Sequence, residues 1–287
     1  MRKLPVPNIK PAQSFSDCIA SIQSANVRRE FNLRHQELVD LADEYVEYAQ
    51  RAELGDLVGL PDRAPKTTQV LGAITKGQLM KLYDQQFRTN PAGRALYQKL
   101  LYSTGGYCPF CGGIGESGAL DHFLPKANFP AYSVVAANLV PSCSKCNSEG
   151  KATSVPANNS DVPIHPYFDD DCFFEEHWIV GQVVRSGSRF IIEFNCSPPD
   201  HWTAIQKARA HTHFVLLNLS LRYGCQGATE LAHLIDQRKS HLPHLSSIDF
   251  KSLLASTANS RVFEPNHWRR VTYLALSENV EFCEEDF

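Results

Sequence analysis

The chain has 287 residues, which is enough for one large domain or two modest ones. Hydrophobic residues make up 43% and charged residues 21%, a globular composition that excludes disorder along the whole chain. The formal net charge of −3 excludes a strongly basic domain that coats nucleic acid, so any such contact must be local or use a partner's surface. The sequence lacks an apolar run of about 18 residues and a signal peptide, which predicts a cytoplasmic protein without membrane contact.

The N-terminal third is predicted to be helical. Residues 1–14 contain three prolines and are expected to lie irregularly on the surface. A first helical pattern covers residues 16–52, and a second covers residues 76–102. Asn90 and Pro91 interrupt the second stretch, because proline suits the first turn of a new helix and asparagine its cap. The apolar positions with helical spacing in the first stretch are Leu33, Leu38, Leu41, Ala42 and Tyr45.

The C-terminal half is predicted to combine a hairpin with helices. Residues 152–170 are polar and rich in proline, which predicts a long loop. Residues 178–184 and 189–194 are typical of strands, and the turn between them predicts a β-hairpin. From residue 203 onward the pattern is helical. The expected core residues of this part are Leu216, Leu217, Leu219, Leu221 and the three tryptophans Trp178, Trp202 and Trp268.

Four of the nine cysteines form two pairs with metal-binding spacing. Cys108-Pro-Phe-Cys111 and Cys143-Ser-Lys-Cys146 are separated by 31 residues. In a chain without a secretion signal, paired C-x-x-C motifs indicate a metal site before they indicate disulfides. Four thiolates satisfy the tetrahedral preference of zinc and close the site, which predicts a structural Zn²⁺. The alternative is four ordinary cysteines in a core.

A second group of metal-ligand residue types lies between and just after the cysteine pairs. Asp121, His122, Asn138 and Asn147 offer oxygen and nitrogen ligands that suit Mg²⁺ or Mn²⁺. Held near one another by the zinc, these side chains could meet at one catalytic ion.

The segment from Cys108 to Lys151 resembles the zinc-containing HNH endonuclease family, one of the ββα-metal nucleases. The positions that carry the resemblance are Cys108-x-x-Cys111, Asp121-His122-x-x-Pro125-Lys126, Asn138-Leu139-x-Pro141-x-Cys143-x-x-Cys146-Asn147 and Lys151. A looser likeness links the chain to stand-alone bacterial HNH proteins that accompany an ATPase in Septu-type anti-phage defence. The motifs that carry this second likeness are Leu79-x-x-Leu82-Tyr83 and His165-Pro166-Tyr167-Phe168-Asp169.

The resemblance implies a role for each matched position. His122 would be the general base that activates water, and Asp121 and Asn147 would bind the catalytic ion. Asn138 would fix the loop that holds the histidine. The last family position is His or Asn, so Asn147 makes this an H-N-N version, which favours Mg²⁺ over softer metals.

The fold expected is α+β, with a zinc-stapled ββα core flanked by helical segments and a β-hairpin. The boundaries predicted are an N-terminal helical region at 1–104, a nuclease core at 105–151, and a C-terminal loop, hairpin and helical region at 152–287. The function expected is metal-dependent cleavage of DNA within an anti-phage complex that includes an ATPase. The alternatives are an RNA or tRNA nuclease of the same mechanism, and a non-catalytic zinc-ribbon binding module.

Several charged residues are candidates for secondary roles. Lys126, Lys145 and Lys151 could contact phosphates, or could be ordinary solvated lysines. His165 could line the cleft, although packing beside it is the favoured interpretation. The acidic run at residues 169–171 is interpreted as a solvated loop face or a patch for a basic partner, rather than as a second metal site.

Overall fold

The structure, a computed structural model, describes residues 1–148, 155–285 and 287. These residues form two compact units. The N-terminal unit contains Lys3–Pro109 and Gly115–Asp169, and the C-terminal unit contains Met1–Arg2, Phe110–Ile114 and Asp170–Phe287. Both units combine helices with short sheets, so the predicted α+β class is confirmed. The units do not follow the three predicted regions, because the N-terminal unit includes most of residues 105–151 together with the helices before them.

Helices dominate the first part of the N-terminal unit. The elements in chain order are α1 (Pro11–Ala20), α2 (Ala25–Leu33), α3 (His35–Gln50), β1 (Gln69–Leu71), β2 (Ile74–Thr75), α4 (Lys76–Lys81), a π-helical turn (Leu82–Phe87) and α5 (Pro91–Leu101). Helix α5 begins at Pro91, as predicted. Thr75 caps α4, because its hydroxyl accepts from the backbone of Gln78 while the Gln78 side chain accepts from the Thr75 backbone. Helix α1 packs against α3 and α5 and buries Phe15 completely.

A strand pair followed by a short helix completes the N-terminal unit. Strand β3 (Ala119–His122) pairs antiparallel with β4 (Leu139–Ser142), with Asp121 opposite Val140 and His122 opposite Leu139. Helix α6 (Ser144–Ser148) follows β4 directly and contacts β3. All four residues of β4 are buried.

The C-terminal unit is built on the predicted hairpin. Its elements are α7 (Cys172–Glu175), β5 (Ile179–Ser186), β6 (Arg189–Cys196), α8 (Ala204–Leu216), α9 (Leu219–Ser240), α10 (Ser247–Ala258), α11 (Trp268–Glu278) and α12 (Val280–Glu284). Strand β5 packs against α11, and β6 packs against α9. Gly187 takes a positive φ of 62° in the tight turn between the strands, a conformation that favours glycine. All three tryptophans are buried, which confirms them as core residues.

The expectation for residues 1–14 is confirmed in part. Residues 1–10 form no helix or strand and most of them are exposed, but Met1 and Leu4 are buried, the Leu4 N–H donates to the Pro166 carbonyl at 2.9 Å, and α1 begins at Pro11. The expectation that Leu221 belongs to the core was wrong. Leu33 and Leu221 have apolar spacing, yet their side chains are 64% and 60% exposed. Both lie on faces of their helices that no described element covers.

Every helix of the described residues is too short or too polar to cross a membrane.

Candidate functional site

The four paired cysteines converge on one point. The sulfur atoms of Cys108, Cys111, Cys143 and Cys146 all lie within 4.8 Å of one another, and all four residues are buried. Thiolates at about 2.3 Å from a tetrahedral zinc stand about 3.8 Å apart, so this cluster has the size and chemistry of a structural Zn²⁺ site. The predicted metal-binding cysteines are therefore brought together by the fold.

Two glycines after Cys111 allow the first cysteine turn to form. Gly112 and Gly113 have positive φ angles of 58° and 85°. Neither position has room for a side chain. A Cβ atom on Gly112 would lie 2.0 Å from the Tyr223 hydroxyl, and one on Gly113 would lie 2.3 Å from Nε2 of His267. Within the same unit, His213 is buried and its Nε2 lies 2.8 Å from the Phe110 carbonyl, which places its N–H as donor to this turn.

Strand β3 carries both Asp121 and His122. Asp121 is buried, and His122 at the end of the strand is half-buried. The Phe123 N–H donates to the Asn138 carbonyl at 2.8 Å, which extends the pairing with the following chain beyond His122. The strand pair thus holds the two residues for which the resemblance implies the roles of general base and metal ligand.

The surroundings of His122 determine which ring atom can accept a proton. Its Nε2 lies 2.9 Å from the Ser133 carbonyl, and a carbonyl only accepts, so this nitrogen carries the hydrogen. Desolvation of the ring and the nearby Lys126 ammonium lower the pKa of His122 to about 3. The imidazole is therefore neutral at pH 7, with Nδ1 as its basic atom.

Two residues that were not assigned roles from the sequence fix the position of the His122 ring. The Tyr83 ring stands edge-on to it, with centroids 4.4 Å apart, and the Tyr83 hydroxyl donates to the Leu120 carbonyl at 3.3 Å. The Ser133 hydroxyl donates to the Leu79 carbonyl at 2.9 Å. This bond holds the loop that contains the Ser133 carbonyl against α4. Tyr83 lies in the π-helical turn, and such turns occur frequently at functional sites.

Asn138 is fully buried and its side chain spans the loop that follows His122. Its Oδ1 accepts from the Leu124 N–H at 2.7 Å, and its Nδ2 lies 3.2 Å from the carbonyls of both Leu124 and Tyr132. These contacts tie Leu124 and Tyr132, at the two ends of this loop, to one buried amide.

Replacing Asn138 with alanine should destabilise the fold. The Asn138→Ala variant leaves a buried N–H and two carbonyls without this partner, which should reduce the free energy of unfolding by about 2–4 kcal/mol. Denaturant unfolding measures the change, with Asn147→Ala as the comparison, because Asn147 is only half-buried. Equal stability of Asn138→Ala and wild type would contradict the assignment.

Asn147 lies on α6, one residue after Cys146. Its backbone N–H donates to the Cys143 carbonyl at 3.0 Å, and its side chain is half-buried. Because α6 contacts β3, the helix bearing Asn147 lies against the strand bearing Asp121. One carboxylate and one amide oxygen are ligands that suit a hard cation such as Mg²⁺.

The three candidate lysines differ in their surroundings. Lys126 is paired with Asp84 at 2.5 Å, and its Nζ lies 4.8 Å from the centre of the Tyr83 ring. Lys145 is exposed on α6. Lys151 lies outside the described residues.

The structure gives His165 a packing role, as favoured from the sequence. His165 is buried with its ring 4.0 Å from that of Phe123, and its Nε2 lies 3.2 Å from the Tyr45 hydroxyl.

The residues of the acidic run differ in exposure. Asp170 and Asp171 are exposed, whereas Asp169 is buried and accepts from the His165 N–H. The expectation of a solvated face was therefore wrong for Asp169.

Comparison with known proteins identifies a relative of nearly the same length. The chain is 33% identical to Protein ea31 of Escherichia phage lambda over 294 aligned residues, which cover 98% of this chain and 99% of that protein. No protein-family model matches the chain. No solved structure matches it either. The identity and nearly complete coverage show that this chain belongs to the same family as Protein ea31.

Proposed function

We propose that this protein is a metal-dependent endonuclease that hydrolyses phosphodiester bonds, with DNA as its substrate. The observation that carries the proposal is the tautomer of His122, whose Nε2–H donates to the Ser133 carbonyl at 2.9 Å. This tautomer leaves Nδ1 as the proton acceptor. It sits on the strand that also carries Asp121 and that contacts the helix bearing Asn147.

In this mechanism His122 acts as the general base. Its Nδ1 would take a proton from the attacking water, while the bond from Nε2–H to Ser133 holds the ring in the required tautomer. Tyr83 restricts rotation of the ring from the side, and Asn138 keeps the adjoining loop in place. General-base catalysis of this kind contributes about a hundred- to ten-thousand-fold in rate.

The proposal includes two metals. Cys108, Cys111, Cys143 and Cys146 would hold a structural Zn²⁺ that links the two cysteine turns. Asp121 and Asn147 would hold a catalytic Mg²⁺ or Mn²⁺, which when bound stabilises negative charge at the scissile phosphate. With one carboxylate and one neutral amide, the protein adds little negative charge of its own, so phosphates can still approach.

Loss of either proposed ligand should be partly reversible by metal. Asp121→Ala and Asn147→Ala should weaken binding of the catalytic ion, so activity should partly return at high Mg²⁺ or with Mn²⁺. The Asn147 variant should recover more, because a neutral amide contributes less to cation binding than a carboxylate. Metal titrations of the cleavage rate measure this. Recovery of His122→Ala to the same extent would contradict the separation of roles.

The substrate and partner are proposed on the HNH resemblance. The base and the metal act on the phosphate, so the substrate is tested directly with plasmid, single-stranded DNA and total tRNA as parallel substrates.

Membership of an anti-phage complex predicts that an ATPase co-purifies with the tagged chain. The net charge of −3 also predicts weak activity for the isolated protein and stronger activity with that partner. Robust nanomolar DNA binding by the chain alone at physiological salt would contradict the need for a partner.

A further inference from the structure

An ion pair covers the aromatic ring that supports His122. The Lys126 Nζ lies 2.5 Å from Oδ1 of Asp84, and the same Nζ lies 4.8 Å from the centre of the Tyr83 ring. That ring in turn lies 4.4 Å from the His122 ring, centre to centre. The Lys126 ammonium is therefore one aromatic ring away from the proposed general base.

The pair is open to solvent and exchangeable. The side chains of Lys126 and Asp84 are 26% and 41% exposed. Ion pairs with this exposure contribute little to stability, because water competes for both charges. A phosphodiester oxygen offers the ammonium the same kind of charge-assisted contact that the carboxylate offers.

We propose that Asp84 is an internal competitor for a substrate phosphate, which replaces the Asp84 carboxylate on Lys126 when nucleic acid binds. In the free protein Asp84 occupies the ammonium and adds a negative charge that repels a phosphate backbone. On binding, the phosphate takes the ammonium and the carboxylate moves into solvent. The inference rests on the proposed nuclease function and adds to it a phosphate-binding site that Asp84 occupies in the free protein.

A second ion pair in the same unit provides a matched control. Arg51 pairs with Glu53 at 2.6 Å, the Glu53 side chain is 42% exposed, and the Arg51 guanidinium lies 4.9 Å from the centre of the Tyr48 ring. Its carboxylate is as exposed as that of Asp84, 42% against 41%, and its cation also lies near a tyrosine ring. Its cation is an arginine that is 51% exposed, against 26% for Lys126, and its tyrosine does not support His122. Glu53→Gln therefore removes the same charge as Asp84→Asn without unmasking Lys126.

Binding of a short fluorescent DNA duplex to the full chain tests the inference. Anisotropy would be measured at about 0.1 M salt, where charges beyond about 10 Å are screened, with Ca²⁺ replacing Mg²⁺ to keep the DNA intact. Asp84→Asn should tighten binding by about two- to fivefold, the scale of an exposed ion pair, whereas Glu53→Gln should change it little. Lys126→Met, which keeps the aliphatic stem over Tyr83, should weaken binding more in the Asp84→Asn background than in wild type.

The outcomes separate the inference from the proposed function. Equal effects of Asp84→Asn and Glu53→Gln, or equal costs of Lys126→Met in both backgrounds, would overturn the masking role while leaving the nuclease proposal intact. Absence of binding by every variant, with and without a co-purifying ATPase and with each variant confirmed as folded by its melting temperature, would count against both.

Discussion

Replacing His122 with alanine should abolish cleavage while the protein stays folded and retains its zinc. The variant loses the proton acceptor of the proposed reaction, so the rate should fall by about a hundred- to ten-thousand-fold. His122→Gln should be equally inactive, because an amide is not a useful base. Its N–H can still donate toward the Ser133 carbonyl, so this variant tests basicity separately from the hydrogen bond. Initial rates on a substrate that the wild type cleaves measure the effect.

The exposed His233 on α9 gives the matched control for that experiment. His233→Ala removes an imidazole from the same chain and should leave the rate unchanged. Wild-type cleavage by His122→Ala would show that the general base lies elsewhere, and the non-catalytic zinc module would then be the better account.

Replacing Cys143 with serine should remove the zinc and destabilise the fold. Strands β3 and β4, which lie between the two cysteine pairs in the sequence, are only four residues long, so they depend on the metal and on packing rather than on their own pairing. We expect a loss of at least about 4 kcal/mol, equivalent to about 10 °C or more in melting temperature. Elemental analysis should give one zinc per wild-type chain and none in the variant.

Cys225, exposed on α9, provides the corresponding control. Cys225→Ser should keep both the zinc and the melting temperature of the wild type. Unchanged melting of Cys143→Ser, or a wild-type chain without zinc, would contradict a structural metal site.

Local signals in the sequence predicted much of the architecture. Two C-x-x-C spacings predicted the sulfur cluster, because such spacing forces each pair of thiols into one turn. Pro91 predicted the start of α5, and two strand-like runs with a turn between them predicted the hairpin of β5 and β6. Each of these features is formed by residues that are close in the sequence, so the sequence pattern alone was enough to predict it.

Features created by distant contacts could not be predicted in the same way. Lys126 was considered a candidate for phosphate contact, but its partner Asp84 lies 42 residues earlier and is brought to it only by folding. The support of His122 by Tyr83 likewise depends on a π-helical turn that no spacing indicates. Leu221 has the spacing of a core residue, yet its side chain is exposed because no described element packs over it.

The most direct test of the central claim is metal-dependent cleavage of nucleic acid by the full chain. Supercoiled plasmid, single-stranded DNA and total tRNA would each be incubated with wild type and with His122→Ala, in Mg²⁺ and in Mn²⁺, with and without any co-purifying ATPase. We expect the wild type to cleave DNA only when metal is added, and His122→Ala to cleave none. Absence of cleavage by the wild type under all these conditions, or equal cleavage by both proteins, would contradict that claim.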